Sequence, residues 1–135
     1  MDSIYFDNNA TTRIDDEVLN SMMPYLKEQY GNPSSIYSFG ANVKEKIKKA
    51  RQNVARLLNA DVDEIVFTSG ASESNTTAIM NAVRNNPGKK HIITTRVEHA
   101  SIMEAMKYLE QKENYKVTYL SVDEKGRINK EELKQ

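Results

Sequence analysis

Apolar residues recur at helical spacing in two stretches of the first half of the chain. Between Ile14 and Tyr30 they fall three or four positions apart, which predicts an amphipathic helix. Pro24 lies inside this stretch and is expected to kink the helix or make it restart, because proline lacks a backbone N–H. The stretch from Ala41 to Leu58 has the clearest helical pattern, with one apolar stripe. We interpret its many basic residues as the solvated outer face of that helix rather than as a phosphate-binding face.

From residue 64 onward, short β-branched runs alternate with helical patterns. Three runs predict strands, at residues 64–68, 91–95 and 116–122 (EIVFT, HIITT and KVTYLSV). Two amphipathic stretches between them predict helices, at residues 72–84 and 101–112. Strands that alternate with helices of this length indicate βαβ units and therefore a largely parallel sheet in an α/β fold.

The last eight residues, INKEELKQ, have the features of a helix start. Asn129 is a suitable N-cap, and the charges of Glu131 and Glu132 complement the helix dipole in the first turn. Because three strands form an incomplete sheet of this type, we expect the chain to be the front part of a larger protein. The predicted division is an N-terminal segment at 1–40 (a strand-like start, a helix and the GNPSS loop) followed by the first part of a large α/β domain at 41–135.

The composition argues against several classes of protein. The 135 residues include 19 basic and 19 acidic side chains, and this balance does not favour nucleic-acid binding. There is no cysteine, which excludes a disulfide framework, a thiolate metal site and a cysteine nucleophile within this chain. No apolar run approaches the roughly 20 residues of a membrane-spanning helix. The N-terminus lacks the basic start and apolar run of a secretory signal, so we expect a cytoplasmic protein. Taken together, these features predict no membrane, nucleic-acid or metal partner.

The segment TSGASES, at residues 68–74, joins the first predicted strand to its helix and is rich in small hydroxyl residues. Ligands of open α/β sheets bind beyond the carboxyl ends of the strands, where this join lies. Gly70 permits close approach of a ligand to the backbone, and the free N–H groups of a helix start favour a phosphate or carboxylate. Ser72 has a simpler alternative role as a helix cap. An anion site and a capped turn both remain open, and no P-loop or dinucleotide motif is present.

His99 follows the second predicted strand. A lone histidine is more often structural than catalytic, but the carboxyl ends of neighbouring parallel strands meet at one edge of a sheet. We therefore expect His99 to face whatever binds at residues 70–72. His91 lies at the start of its strand, at the opposite edge, and has no comparable position.

Five motifs occur in an order and spacing that are similar to one family. They are YFDNNATT (5–12), YGNPSSIYSFG (30–40), EIVFTSGASESN (64–75), HIITTRVEHASI (91–102) and VTYLSVDEKGRI (117–128). Together they resemble the cysteine desulfurases of the NifS/IscS type, which are pyridoxal-phosphate (PLP) enzymes of the class V aminotransferase group. The resemblance covers essentially the whole chain and implies fold type I. The expected structure is an incomplete three-layer αβα large domain with a mainly parallel sheet, preceded by N-terminal helices.

The resemblance also implies roles for individual residues. Gly70, Ala71 and Ser72 would bind the cofactor phosphate, and His99 would stack on the pyridine ring and help to move protons. Weaker candidates, on the substrate side of the pocket, are Asn8, Ala10, Thr11 and Asn32. Two positions depart from the family pattern: Ser72 stands where threonine is usual and keeps the hydroxyl, and Tyr37 stands where many members have histidine, which leaves its role open.

The resemblance implies that three groups needed for the family's reaction lie beyond the end of this chain. They are the lysine that forms the Schiff base, the aspartate that pairs with the pyridinium nitrogen and the cysteine that takes up sulfur as a persulfide. The complete homodimeric enzyme would convert L-cysteine to L-alanine and pass the sulfur to an acceptor or iron–sulfur scaffold protein. This chain alone is expected to be inactive and to bind PLP weakly or not at all. Two alternatives remain: a non-catalytic α/β binding or interaction domain, and the front half of another class V enzyme, such as a selenocysteine lyase or an aminotransferase.

Overall fold

The computed structural model describes residues 4–134, which divide into two compact units, one ending at Val66 and one beginning at Phe67. The first unit contains α1 (Asp16–Lys27), α2 (Ser38–Leu58) and a 3₁₀ turn (Val62–Glu64). The second contains α3 (Ala71–Arg84), β1 (His91–Thr95), α4 (Ala100–Glu113), β2 (Lys116–Leu120) and α5 (Lys130–Lys134). The division of the chain after residue 40 stays a prediction, and residues 1–3 and 135 of its two segments lie outside the described residues.

Helix α1 is shorter than its apolar pattern predicts. It begins after Asp15, whose carboxylate accepts a hydrogen bond from the N–H of Glu17 at 2.8 Å and thereby caps the first turn. It continues past Pro24 as one element, so the expected restart at the proline does not occur. Proline lacks a donor but keeps its acceptor, and the Pro24 carbonyl binds the N–H of Glu28 at 2.9 Å.

Helix α2 begins at Ser38, three residues earlier than predicted, and the GNPSS loop folds against its first turn. Within the loop, the amide oxygen of Asn32 accepts from the N–H of Ser34 at 2.9 Å, and the Asn32 carbonyl accepts from Ser35 at 3.0 Å. Gly40 lies directly against this loop, because a Cβ built on it would clash with the Asn32 carbonyl and lie 2.7 Å from Cβ of Ser35. The glycine therefore lets the loop approach the helix closely.

The predicted buried strand at residues 64–68 is wrong. Ile65 has an extended backbone, but the strands that pair within residues 4–134 are β1 and β2. Val66 is 72% exposed and Phe67 is 49% exposed, so the segment is not buried either. An apolar, β-branched run becomes a strand only where a neighbouring backbone supplies hydrogen bonds. Here the carbonyl of Ile65 instead accepts from the side chain of Arg51.

Strands β1 and β2 form a parallel pair in which His91 lies opposite Lys116 and Thr95 lies opposite Leu120. The connection between them contains α4, as predicted for a βαβ unit, and the mainly parallel α/β arrangement is confirmed. Strand β2 ends two residues earlier than expected, because Val122 forms an isolated antiparallel bridge with a residue beyond the next turn.

The core of the second unit lies where α4 meets the sheet. Met106 and Leu109 of α4 are buried together with Tyr115, which precedes β2. Side chains from α3, from the first turn of α4 and from both strands pack against them: Ile79, Met80, Val83, Ile92, Ile102, Val117 and Tyr119. The apolar face predicted for α4 is thus its buried face, and α3 and α4 pack against each other.

Helix α5 confirms the predicted helix start near the end of the chain. The side chain of Asn129 accepts from the N–H of Glu131 at 3.0 Å, as expected of an N-cap. The carboxylate of Glu132 also reaches the end of β2, where it accepts from the Ser121 hydroxyl at 2.7 Å.

Candidate functional site

The start of α3 has no side-chain cap. The helix begins at Ala71, so Gly70 occupies the N-cap position, with an extended backbone (φ 165°, ψ 179°). Ser72 lies inside the first turn, and its hydroxyl forms no hydrogen bond among residues 4–134, which makes the alternative of a Ser72 cap wrong. The first N–H groups of α3 are therefore left for water or a ligand, and they carry the positive end of the helix dipole.

The other hydroxyl residues of the join are bonded within the loop. Thr68 Oγ1 lies 2.7 Å from Ser74 Oγ and donates to the Gly70 carbonyl at 3.2 Å. The carboxylate of Glu73 accepts from both the N–H and the hydroxyl of Ser69, each at 2.7 Å. These two hydrogen bonds, the backbone one first, hold the pKa of the Glu73 carboxyl below its ordinary value. The loop is thus fixed by its own side chains while Ser72 stays available.

His99 occupies the N-cap of α4. Its Nδ1 accepts from the backbone N–H of Ser101 at 3.1 Å and lies 2.9 Å from the Ser101 hydroxyl. That hydroxyl also accepts from the side-chain amide of Asn75, in α3, at 3.0 Å. A chain of hydrogen bonds therefore runs from the first turns of α3 to the histidine ring.

An open cavity of about 600 Å³ lies between α3 and α4. It is lined by Ser72, Thr76, Met80, His99, Ala100, Ser101, Glu104, Ala105 and Tyr108. Ser72 and His99 therefore share one cavity, although the strand predicted before Ser72 does not form. Gly70 and Ala71 do not line it and lie exposed at the start of α3.

The start of α3 fits a phosphate group. Free N–H groups at a helix start, an unbonded Ser72 hydroxyl and the helix dipole all favour an anion. No atom lies within 4 Å of the Cβ position of Gly70, which leaves room for a ligand beside the backbone. The negative charge of the Glu73 carboxylate disfavours an anion at this position. The carboxylate is, however, bonded to Ser69 and exposed, so solvent and salt screen its charge.

The candidates for the substrate side lie in the first unit: Asn8, Ala10, Thr11 and Asn32. Residues 8–10 form a turn in which the carbonyl of Asp7 accepts from the N–H of Ala10 at 3.1 Å and of Thr11 at 3.3 Å. All four residues are exposed, and their substrate role stays a prediction.

Among the residues that sequence reasoning missed are Ser101, Glu104 and Tyr108, which line the cavity, and Asn75, which bonds to Ser101. Asn75 and Ser101 are half-buried polar residues near the starts of their helices. A polar residue on an inward helix face is a signal that could have identified them, since such groups need a hydrogen-bond partner.

The described part of the chain shows neither a metal-binding cluster nor a membrane-spanning helix. Among residues 4–134, no group of three histidine, aspartate or glutamate side chains is placed to hold a metal ion. Nor does any helix in this range combine the length and the apolar character needed to cross a membrane.

Known proteins share this combination of fold and motifs. Residues 4–135 match the family described as aminotransferase class-V, and the chain belongs to that family. A curated relative, cysteine desulfurase 2 of Trichormus variabilis, is 55% identical over 133 residues, which are 98% of this chain and 33% of that protein. These matches confirm the resemblance to NifS/IscS-type proteins. The chain spans about one third of the length of the curated relatives it matches.

Solved structures show the same fold. A NifS-like protein superposes with a TM-score of 0.87 at 43% identity, covering 96% of this chain and 36% of that one. The protein SspA, solved in complex with cysteine, gives a TM-score of 0.86 at 36% identity, covering 97% of this chain and 38% of that one. The chain therefore has the fold of part of these larger proteins.

Proposed function

We propose that the chain is the amino-terminal part of a PLP-dependent cysteine desulfurase. The observation that carries this proposal is the placement of Ser72, at the uncapped start of α3, and His99, at the start of α4, on one cavity. The relatives named above support the desulfurase activity, and the cysteine-bound SspA structure supports L-cysteine as substrate. Neither supports the alternatives of a non-catalytic binding domain, a selenocysteine lyase or an aminotransferase.

The residues of the site have distinct roles in this proposal. The N–H groups of Ala71 and Ser72 and the Ser72 hydroxyl hold the cofactor phosphate, and Gly70 leaves the space that the phosphate needs. His99 presents its ring to the cofactor and exchanges protons with the reacting groups. PLP, when bound, supplies the electron sink for breaking bonds of the substrate amino acid.

The complete enzyme would release L-alanine and transfer sulfur, as a persulfide, to an acceptor or iron–sulfur scaffold protein. We propose that it works as a cytoplasmic homodimer, with Asn8, Ala10, Thr11 and Asn32 on the substrate side of its site. The lysine and cysteine of the reaction would come from the part of the enzyme that this chain does not span. The chain alone is therefore expected to give no sustained release of alanine from L-cysteine and PLP.

Titration with pyridoxamine phosphate tests the phosphate site, because this analogue lacks the aldehyde that would react with the surface lysines. We expect weak binding that shifts the NMR amide signals of Gly70, Ala71 and Ser72. Pyridoxamine without phosphate should leave these signals unchanged. Replacing Ser72 with alanine removes one donor, about 1 kcal/mol, and should weaken binding about fivefold.

Thr77→Ala is the matched control, since Thr77 is an exposed residue of the same helix that does not line the cavity. It should bind the analogue as tightly as the unchanged chain. Shifts confined to other surfaces, or equal shifts with both analogues, would overturn the phosphate site. Sustained alanine release by the chain alone would contradict the assignment of the missing groups.

A further inference from the structure

The hydrogen-bond chain that ends on His99 has a definite direction. The backbone N–H of Ser101 can only donate, so Nδ1 of His99 is the acceptor of this bond, at 3.1 Å. The amide N–H of Asn75 donates to Ser101 Oγ at 3.0 Å, which leaves the hydroxyl proton of Ser101 free to point at Nδ1, 2.9 Å away. Two donors thus converge on one ring nitrogen.

This arrangement determines where a neutral His99 ring carries its proton. Because Nδ1 accepts, the proton of the neutral ring lies on Nε2. Among residues 4–134, Nε2 of His99 has no hydrogen-bond partner, whereas the ring itself lines the cavity shared with Ser72. The ring therefore keeps its Nε2–H available as a donor to a ligand.

A simple helix cap would not need this network. The backbone N–H of Ser101 alone completes the capping contact to His99. The Ser101 hydroxyl and the Asn75 amide add a second, side-chain contact that connects α3 to the ring. Outer hydrogen bonds that fix a histidine's tautomer and orientation are a general way to prepare it for a ligand.

We propose that Asn75 and Ser101 are positioning residues that hold His99 in its Nε2–H tautomer beside the phosphate site. The inference rests on the proposed function, because it states how the histidine of that site is prepared for the cofactor. It assigns no proton transfer to Asn75 or Ser101. Their effect is to fix one ring nitrogen as an acceptor and to leave the other as a donor.

Long-range ¹H–¹⁵N NMR of the neutral imidazoles in the 135-residue chain tests the proposal directly, because the two tautomers have different nitrogen shifts. We expect the Nε2–H form of His99 to predominate. Ser101→Ala removes one donor to Nδ1 and should lower the ratio of Nε2–H to Nδ1–H forms about fivefold. Asn75→Ala should lower the ratio less, because it frees the Ser101 hydroxyl to rotate rather than removing it.

Ser101→Thr keeps the hydroxyl and should restore the tautomer ratio, and Thr77→Ala should leave it unchanged. His91 is an internal reference, because its Nε2 lies 2.8 Å from Thr118 Oγ1, in the sheet, and its signals should be the same in every variant. A predominant Nδ1–H form in the unchanged chain would overturn the proposal. An unchanged ratio in Ser101→Ala would do the same. If that variant unfolds, the unchanged chain and Asn75→Ala decide the question.

The outcomes also separate this inference from the proposed function, since no cofactor is present in the measurement. Failure to bind pyridoxamine phosphate with the Nε2–H form intact would count against the proposed function alone. Normal binding with the Nδ1–H form would count against the positioning network alone.

Discussion

Single carboxylates in this chain are fixed by nearby backbone donors. Asp123 accepts from the N–H groups of Lys125 at 2.9 Å and of Arg127 at 3.0 Å, and it forms an ion pair with the Arg127 guanidinium at 2.8 Å. The backbone bond from Arg127, then its side chain, holds the pKa of the Asp123 carboxyl below its ordinary value. The bonds close the turn in which Gly126 adopts a positive φ of 75°.

This lowered pKa predicts a pH dependence of known sign. Because the pKa of the Asp123 carboxyl is lower in the folded chain than in the unfolded one, its ionised form stabilises the fold. This stabilisation is complete above about pH 4, near the unfolded pKa. It is lost as the pH falls through the folded pKa. Titration of the Asp123 carboxyl carbon by NMR should therefore show a midpoint below the ordinary aspartate value.

Arg127→Ala removes the guanidinium but keeps the backbone N–H, so the Asp123 midpoint should rise only part of the way. A midpoint that stays unchanged in this variant would show that the ion pair contributes nothing. A midpoint at the ordinary value in the unchanged chain would contradict the turn geometry itself.

Elements with a complete local signal could be predicted from the sequence. The apolar pattern of α4 and the Asn129 cap depend on neighbours within a few residues, and both were found as expected. The strand at 64–68 was predicted from its composition alone, but a strand also needs a partner that composition does not reveal. The prediction was therefore wrong because strand pairing depends on contacts between distant parts of the chain.

The same distinction applies to the candidate site. The sequence predicted that Ser72 and His99 lie close together, because each follows a predicted strand of one parallel sheet, although the strand before Ser72 does not form. The hydrogen bond between Asn75 and Ser101 could not be predicted from the sequence, since it depends on how closely α3 approaches α4. The uncapped start of α3 could not be predicted from the sequence either, because a helix start shifted by two residues, to Glu73, would make Ser72 the cap.

The contact between the GNPSS loop and α2 predicts a large effect of one methyl group. Alanine normally favours a helix by about 1 kcal/mol over glycine. At Gly40, however, the new Cβ would meet the Asn32 carbonyl and lie 2.7 Å from Cβ of Ser35. Backbone atoms cannot rotate away, so overpacking should win and Gly40→Ala should lower the free energy of unfolding by about 2 kcal/mol.

Gly88→Ala is the control for Gly40→Ala, because no atom lies within 4 Å of its Cβ position and its φ is not positive. It should be neutral or stabilise the chain by up to about 1 kcal/mol, through a less flexible unfolded state. Urea unfolding followed by circular dichroism measures both variants. Equal unfolding midpoints for the two would mean that the loop does not pack on α2 as described.

At the scale of the whole molecule, the two units differ in how much they bury. Between residues 4 and 66 the buried positions are Gly40 and Ala55, whereas the second unit buries Ala105, Met106 and Leu109 together with residues of the sheet. Large apolar side chains such as Leu57, 84% exposed, remain in solvent in the first unit. We expect the rest of the proposed full-length enzyme to cover such surfaces.

The difference in burial predicts unequal protection from hydrogen exchange. Backbone amides exchange through local opening, and opening is easiest where few apolar contacts must be broken. In the 135-residue chain, amides of α2 should therefore exchange at least about tenfold faster than those of α4 and of the paired strands, both measured by NMR after transfer to D₂O. Helices α2 and α4 are both several turns long, so helix propensity alone predicts no such difference in exchange rate. Equal protection of α2 and α4 would show that the first unit is held as firmly as the second, and that its exposed apolar residues do not weaken it.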